Sequence, residues 1–200
     1  MLNTIVENKS KIHTRDIGLA TYPHIDSRII VHGVLKDRRY KKIFDVTGAV
    51  VGPGIIHHMD VKLMIRPDPL TIEDAQATMI HVPLPECRAT LDTVEQLKGL
   101  EIKSGFSRQI RSIMGGKKGC THLCQLIIVM GQEIVQGWLT RKREENTPVP
   151  EDLDSLDEKN FLIDSCRMWT QNGQKMKNLE QAIKSRQPGK QAQAPSINKS

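Results

Sequence analysis

Aromatic side chains are scarce in this chain, making up 4% of its 200 residues. No apolar run approaches the roughly 18 residues that a membrane-spanning helix needs. The first residues, Met1 to Lys9, lack the apolar stretch of a signal peptide. With 38% hydrophobic residues, the chain can still form a core, built mainly from isoleucine, leucine, valine and methionine. We therefore expect a cytoplasmic protein without a membrane span.

Excess positive charge is concentrated at the end of the chain. From Gln171 to Ser200, six basic residues accompany one acidic residue, which accounts for +5 of the formal net charge of +6. A nucleic-acid-binding domain concentrates basic residues on its folded face, whereas residues 1–170 carry a net charge of only +1. The sequence therefore argues against a nucleic-acid partner. It leaves open a protein partner for the basic tail.

Hydrophobic periodicity changes along the chain from a strand pattern to a helix pattern. Alternation over residues 17–21 and 29–35 predicts a hairpin, followed by a charged connection over 36–42 and two more strands near 61–65 and 70–82. After Pro83, helical spacing predicts helices that begin at Pro85, Phe106 and Thr121, with a further helix over 175–184. This order predicts an α+β fold, with a small, mainly antiparallel sheet of about four strands and three or four helices packed on it.

Composition predicts five segments along the chain. Residues 1–11 form an N-terminal arm, and residues 12–145 form the α+β core domain. Residues 146–160 form an acidic linker, which leads into a structured C-terminal return over residues 161–186. Residues 187–200 are rich in glutamine, proline, alanine and serine, which predicts a disordered tail.

The most distinctive motif is Gly-Gly-Lys-Lys-Gly-Cys-Thr-His-Leu-Cys, over residues 115–124. It puts Cys120 and His122 where a glycine-rich turn enters an apolar helix. Unpaired backbone N–H groups and two lysines attract negative charge there, which favours the thiolate, the form that binds a metal or attacks an electrophile. Residues two apart on a helix point in different directions, so Cys120 and His122 can share an ion only if Cys120 precedes the first regular turn. Cys124 is expected to be a core residue.

Other potential metal ligands fall at chain reversals. His57 and His58 follow a Gly-Pro-Gly turn, and Cys87 opens the first predicted helix. Because strand alternation sends His57 and His58 to opposite faces, only one of them can join a given site, and we prefer His57. If these turns of the chain meet at one end of the sheet, the thiolates and imidazoles of their side chains suit zinc or an iron–sulfur centre. The predicted metal ligands are His57, Cys87, Cys120, His122 and Cys166.

Two other functions stay open on the same residues. In the first, Cys120 is the nucleophile of a thiol-dependent enzyme or a sulfur or acyl carrier, with His122 or His57 as its base. In the second, the cysteines are core residues, as free cysteines often are, and the chain is a non-catalytic module that binds a protein partner.

Four short segments are similar to those of a known family: Ile-His-Thr-Arg at 12–15, Ile-His-His-Met at 56–59, Pro-Glu-Cys at 85–87 and the motif at 115–123. They resemble an uncharacterised bacterial family of domains of unknown function, DUF2889, over residues 12–141. Residues 48–136 are more distantly similar to the iron–sulfur scaffold of the IscU/NifU type. That resemblance implies a scaffold-like fold with His57 or His58 in place of the scaffold's first cysteine and Cys87 and Cys120 as the other two ligands. The implied cofactor is zinc, iron or an iron–sulfur cluster.

Overall fold

The computed structural model describes residues 2–144, 150–156 and 159–186. The chain divides into two compact units, Met1–Lys142 and Arg143–Ser200. Part of the predicted acidic linker (146–149 and 157–158) and the whole predicted tail (187–200) lie outside the described residues. No helix in the described part of the chain has both the length and the hydropathy that crossing a bilayer requires.

An antiparallel sheet forms the centre of the first unit. The strands along the chain are β1 (His13–Pro23), β2 (Ile29–Arg39), β3 (Ile43–Phe44), β4 (Val50–Val51), β5 (Gly54–Arg66) and β6 (Thr71–His81). Four of them make one sheet in the order β1-β2-β5-β6, and β3 pairs with β4 in a separate short hairpin. The predicted α+β class with about four antiparallel strands is confirmed.

The helices of the first unit follow the strands, apart from a short one at the start. They are α1 (Leu2–Glu7), α2 (Phe106–Met114) and α3 (Thr121–Lys142), with 3₁₀ helices at Pro85–Leu97 and Gly116–Lys118. The helix predicted from Pro85 is therefore a 3₁₀ helix. The hydroxyls of Thr90 and Thr93 each donate a hydrogen bond of 2.7 Å to the carbonyl three residues earlier, a side-chain bond that competes with regular α-helical pairing.

Helix α3 covers one face of the sheet. Its buried residues include an apolar stripe at helical spacing, Leu123, Ile127, Met130, Ile134 and Trp138. A Cβ on Gly137 would lie 2.3 Å from Thr21 Oγ1, so this glycine lets α3 lie directly against β1. Every second side chain of β2 and β5 points to the face that α3 covers, so alternate residues of these strands belong to the core.

Strand β2 is longer than predicted, because residues 36–39 belong to it rather than to a charged connection. In register, Asp37 lies opposite Arg15 on β1 and opposite His57 on β5. The partners on both sides carry groups that bind a carboxylate. A charged residue can therefore take an inward position of the strand at this point.

The second unit is small and helical in its described part. It contains α4 (Lys159–Leu162), a 3₁₀ helix at Arg167–Trp169 and α5 (Gln174–Arg186). Met176 and Ile183 on α5 are buried, which agrees with the helix predicted over residues 175–184.

Candidate metal centre

A buried carboxylate lies at the centre of the site. The Asp37 side chain is 2% exposed, and Arg15 binds both of its oxygens, with Nε 2.7 Å from Oδ1 and Nη2 2.7 Å from Oδ2. Arg15 is itself held by α3, because its Nη1 donates to Gln125 Oε1 at 2.7 Å. A bidentate ion pair of this kind fixes the orientation of the carboxylate and stabilises its charged form.

His57 is the second partner of this carboxylate. Its Nδ1 lies 2.9 Å from Asp37 Oδ2, and its side chain is 13% exposed. Burial alone would raise the pKa of Asp37, but the hydrogen bonds and positive charges of Arg15 and His57 outweigh it and lower that pKa below its ordinary value. Asp37 is therefore ionised near neutral pH.

The start of α3 brings a second histidine to the same place. Cys120 lies just before the helix and its carbonyl accepts the N–H of Cys124 at 2.9 Å, so Cys120 is the capping residue. Two residues later, in the first turn of α3, His122 stacks on His57 with ring centroids 3.7 Å apart. Its Nε2 lies 3.7 Å from Asp37 Oδ2, and its Nδ1 lies 3.9 Å from Cys120 Sγ. The two nitrogens of His122 therefore face different partners.

The surroundings of His122 favour its neutral form. Burial lowers the pKa of His122, and the positive charges of His57 and Arg15 lower it further against the opposing effect of Asp37. A neutral imidazole has a lone pair with which to bind a metal ion or accept a proton. His122 is therefore in the state that either role requires near neutral pH.

Asp37, His57 and His122 form a group in which one ligand atom from each residue lies within 4.8 Å of the other two. Two donors bound to one zinc ion at about 2.0–2.1 Å in tetrahedral geometry are about 3.3–3.4 Å apart. The distances from Asp37 Oδ2, 2.9 Å to His57 and 3.7 Å to His122, lie on either side of that value. Both distances are therefore close to the spacing that two ligands of one ion require.

The structure brings some of the predicted ligands together and separates others. His57 and His122 are in the group, but none of the predicted cysteines belongs to it in the described part of the chain. Cys120 lies on the far side of His122, next to Nδ1. Cys87 is half-buried in the 3₁₀ helix Pro85–Leu97, which packs on β6 and α2. Cys166 is exposed and lies in the second unit.

Two residues of the site, Asp37 and Arg15, were not among the predicted candidates. The alternation of β2 contains the missing signal, since Asp37 takes the next inward position after a series of buried residues, Ile29, Val31, Gly33 and Leu35. A carboxylate that continues the core face of a strand needs a paired charge. Arg15, at the corresponding inward position of β1, supplies that charge.

Gly119 fixes the position of Cys120, and its replacement gives a prediction. A Cβ at this position would lie 2.8 Å from the Met114 carbonyl oxygen and 3.0 Å from Met114 Cα, both parts of the backbone. We expect Gly119→Ala to lower the free energy of unfolding by about 1–2 kcal/mol, because the loop must shift to relieve this contact. Urea denaturation measures the change.

The matched control is Gly18→Ala on strand β1, where a Cβ would meet nothing within 4 Å. That variant should be as stable as the unaltered protein or slightly more stable, because alanine has less backbone freedom in the unfolded chain. Equal losses from both substitutions would show that the close contact at Gly119 has no special importance.

Comparison with known proteins gives one family match. The model of a family described as "Protein of unknown function (DUF2889)" matches residues 13–136. No curated protein and no solved structure matches the chain significantly. The matched range begins at the first residue of β1 and ends within α3, so it contains the whole site: Arg15, Asp37, His57, Cys120, His122 and Gln125.

Proposed function

This chain belongs to the DUF2889 family of proteins of unknown function, and we propose that it binds a divalent transition-metal ion through Asp37, His57 and His122. The observation that carries the proposal is the convergence of one carboxylate and two imidazoles with ligand atoms within 4.8 Å of one another. The three residues come from β2, β5 and α3, so they meet only in the folded chain.

The hydrogen bonding of Asp37 is compatible with metal binding. Without metal, Oδ2 accepts hydrogen bonds from Arg15 Nη2 at 2.7 Å and His57 Nδ1 at 2.9 Å. A metal ion on His57 Nδ1 would displace the proton that this nitrogen donates, and Oδ2 would keep Arg15 as its other partner. In a neutral imidazole that proton can move to Nε2, so His57 could bind the ion as the other tautomer.

The donor set favours particular ions. Two imidazoles and one carboxylate suit Zn²⁺ or Fe²⁺ and leave part of the coordination shell for water or a substrate. The side chains of His57 and His122 are 13% and 26% exposed, which gives a small ligand access to the site. Iron–sulfur clusters are held mainly by cysteine thiolates. A mononuclear ion therefore fits these residues better than the cluster that the scaffold resemblance implies.

Metal analysis of the full chain, purified without a histidine tag, tests the proposal. Elemental analysis and titration with Zn²⁺ should both give one bound ion per chain. A folded chain that binds no Zn²⁺ and no Fe²⁺ would contradict the proposal.

A second candidate function rests on the contact of 3.9 Å between Cys120 Sγ and His122 Nδ1. Here His122 takes the proton of the Cys120 thiol, and the thiolate attacks the carbonyl carbon of a thioester. The acyl group moves to Cys120, and the substrate's sulfur leaves as a thiol with the proton from His122. Asp37, 3.7 Å from the other nitrogen of His122, stabilises the imidazolium that forms. This is the thiol-dependent function that the sequence left open.

Thiol labelling distinguishes the second candidate. We expect iodoacetamide to alkylate Cys120 faster than exposed Cys166, because His122 accepts the Cys120 proton. Cys124 should react slowest, since it is buried and burial raises its pKa. Mass spectrometry of peptides from a timed reaction gives the three rates.

The control for this reaction is His122→Ala, which should slow the alkylation of Cys120 to about the rate of Cys166. If Cys120 reacts no faster than Cys166 in the unaltered protein, the thiol function is wrong. The metal proposal does not depend on that outcome.

A further inference from the structure

A short arm with basic and apolar side chains connects β2 to β5. We define the basic–apolar arm as residues 38–51, which include the end of β2 and the hairpin of β3 and β4. Its apolar side chains are open to solvent, with Phe44 65%, Val46 105% and Val50 61% exposed. Soluble proteins rarely leave apolar side chains grouped in this way unless they meet a partner.

The turn of the hairpin has a fixed shape. The carboxylate of Asp45 accepts hydrogen bonds from the backbone N–H groups of Thr47 at 2.8 Å and Ala49 at 3.0 Å. Gly48 has a φ of 85°, which suits glycine. Phe44 and Val46, on either side of Asp45, therefore stay exposed in an ordered turn, and a partner need not order the turn on binding.

Positive charge lies at the base of the arm. Arg38, Arg39, Lys41 and Lys42 fall within five consecutive residues, and with Asp45 they give residues 38–51 a net charge of +3. Tyr40 lies among them and is 42% exposed. Together, Tyr40 and Phe44 are two of only seven aromatic residues in the chain. The amphipathic ring of a tyrosine is favoured at the boundary between lipid and water.

We propose that the basic–apolar arm docks the protein on an anionic phospholipid surface. Phe44, Val46 and Val50 enter the layer between the headgroups, and the exposed cations of Arg38, Lys41 and Lys42 meet the phosphates. An exposed apolar turn can enter a fluid lipid surface anywhere, whereas a protein partner would need a matching pocket. The net charge of +3 on the arm fits the negative charge of such a surface.

Vesicle sedimentation with the full chain tests this proposal. The protein should bind vesicles of phosphatidylcholine mixed with phosphatidylglycerol more tightly than vesicles of phosphatidylcholine alone. Lys41→Glu with Lys42→Glu should weaken binding to the anionic vesicles by about tenfold or more, because each basic residue near the surface is worth about fivefold. Phe44→Ser with Val46→Ser keeps every charge, and it should also weaken binding by about tenfold.

Two control variants change similar groups away from the arm. Arg88→Glu with Arg108→Glu makes the same change of net charge on exposed positions of the helical layer, and Ile25→Ser removes a side chain that is 68% exposed. Both controls should bind the anionic vesicles as the unaltered protein does. The basic tail is present in every variant, so a difference among them reports on the arm.

Three outcomes overturn the proposal. The first is no binding to anionic vesicles, which would leave an acidic protein surface as the partner of the arm. The second is equal binding to neutral and anionic vesicles. The third is equal weakening by the arm variants and the control variants, which would assign binding to overall charge alone. Circular dichroism checks that each variant is folded.

Discussion

Asp37→Asn is expected to lower the free energy of unfolding by about 2 kcal/mol at neutral pH. Removing one member of a buried ion pair costs about 3–5 kcal/mol, and we reduce this value because the Arg15 side chain is 32% exposed to water. Asparagine keeps the shape of aspartate, but its NH₂ group faces a donor from Arg15 or His57. One buried donor then loses its partner. Urea denaturation measures the change.

Asp60→Asn is the matched control, because Asp60 also binds a histidine and a cation. His32 Nε2 lies 2.7 Å from Asp60 Oδ2, and Lys62 lies on Oδ1. Asp60 is 22% exposed and Lys62 52% exposed, so we expect this variant to lose less than about 1 kcal/mol. If the two variants lose equal stability, Asp37 is no more important than a surface carboxylate.

The pH dependence of the Asp37→Asn effect has a definite sign. Arg15 and His57 lower the pKa of Asp37 in the folded protein, so its contribution to stability is complete above the unfolded value of about 3.9. That contribution is lost as the pH falls through the lower, folded value. The difference between the unaltered protein and Asp37→Asn should therefore be largest near neutral pH and shrink below about pH 4. A difference that grows in acid would contradict this assignment.

The second large effect is expected on metal affinity. His57→Ala and His122→Ala should each weaken Zn²⁺ binding by more than about a hundredfold, because even an outer partner of a metal-bound histidine is worth 10–100-fold. Binding should also weaken in acid, since His122 must be deprotonated to act as a ligand, and its lowered pKa puts this loss below the ordinary histidine value of about 6.5. Titration against a competing chelator measures both effects.

His58→Ala provides the control for His57→Ala, because the two residues are neighbours on β5 and alternate between its faces. Its Zn²⁺ affinity should equal that of the unaltered protein. Cys87→Ala should also bind normally, since Cys87 is not in the group. A loss of affinity in either variant would show that the ligands are other residues.

The positions of the strands in the sequence could be predicted better than the residues at which they end. The alternation of apolar residues predicted β1, β2 and their hairpin correctly, because one face of the sheet is covered by α3. The same reasoning ended β2 too early, at the first run of charged residues. The pairing of Asp37 with Arg15 and His57 extends the strand to Arg39, and such pairing depends on neighbours that are distant in sequence.

The site could be predicted only in part. Strand alternation predicted that His57 and His58 lie on opposite faces, and the position of Cys120 before α3 was predicted from the glycine-rich turn. Spacing alone does not encode how distant loops cross, so residue order was the only ground for expecting Cys87 to meet Cys120 and His57. The register of β2 with β5 decides that His57 meets a carboxylate instead.

The most direct test of the metal centre is the absorption spectrum of the full chain loaded with Co²⁺, which takes the place of zinc and reports on its ligands. With Asp37, His57 and His122 as ligands, one Co²⁺ ion per chain should give visible d–d bands without a thiolate charge-transfer band in the near ultraviolet. That spectrum should be unchanged in Cys120→Ser and lost in His57→Ala. A strong thiolate band, or a folded chain that takes up no Co²⁺, would contradict the assignment of these three ligands.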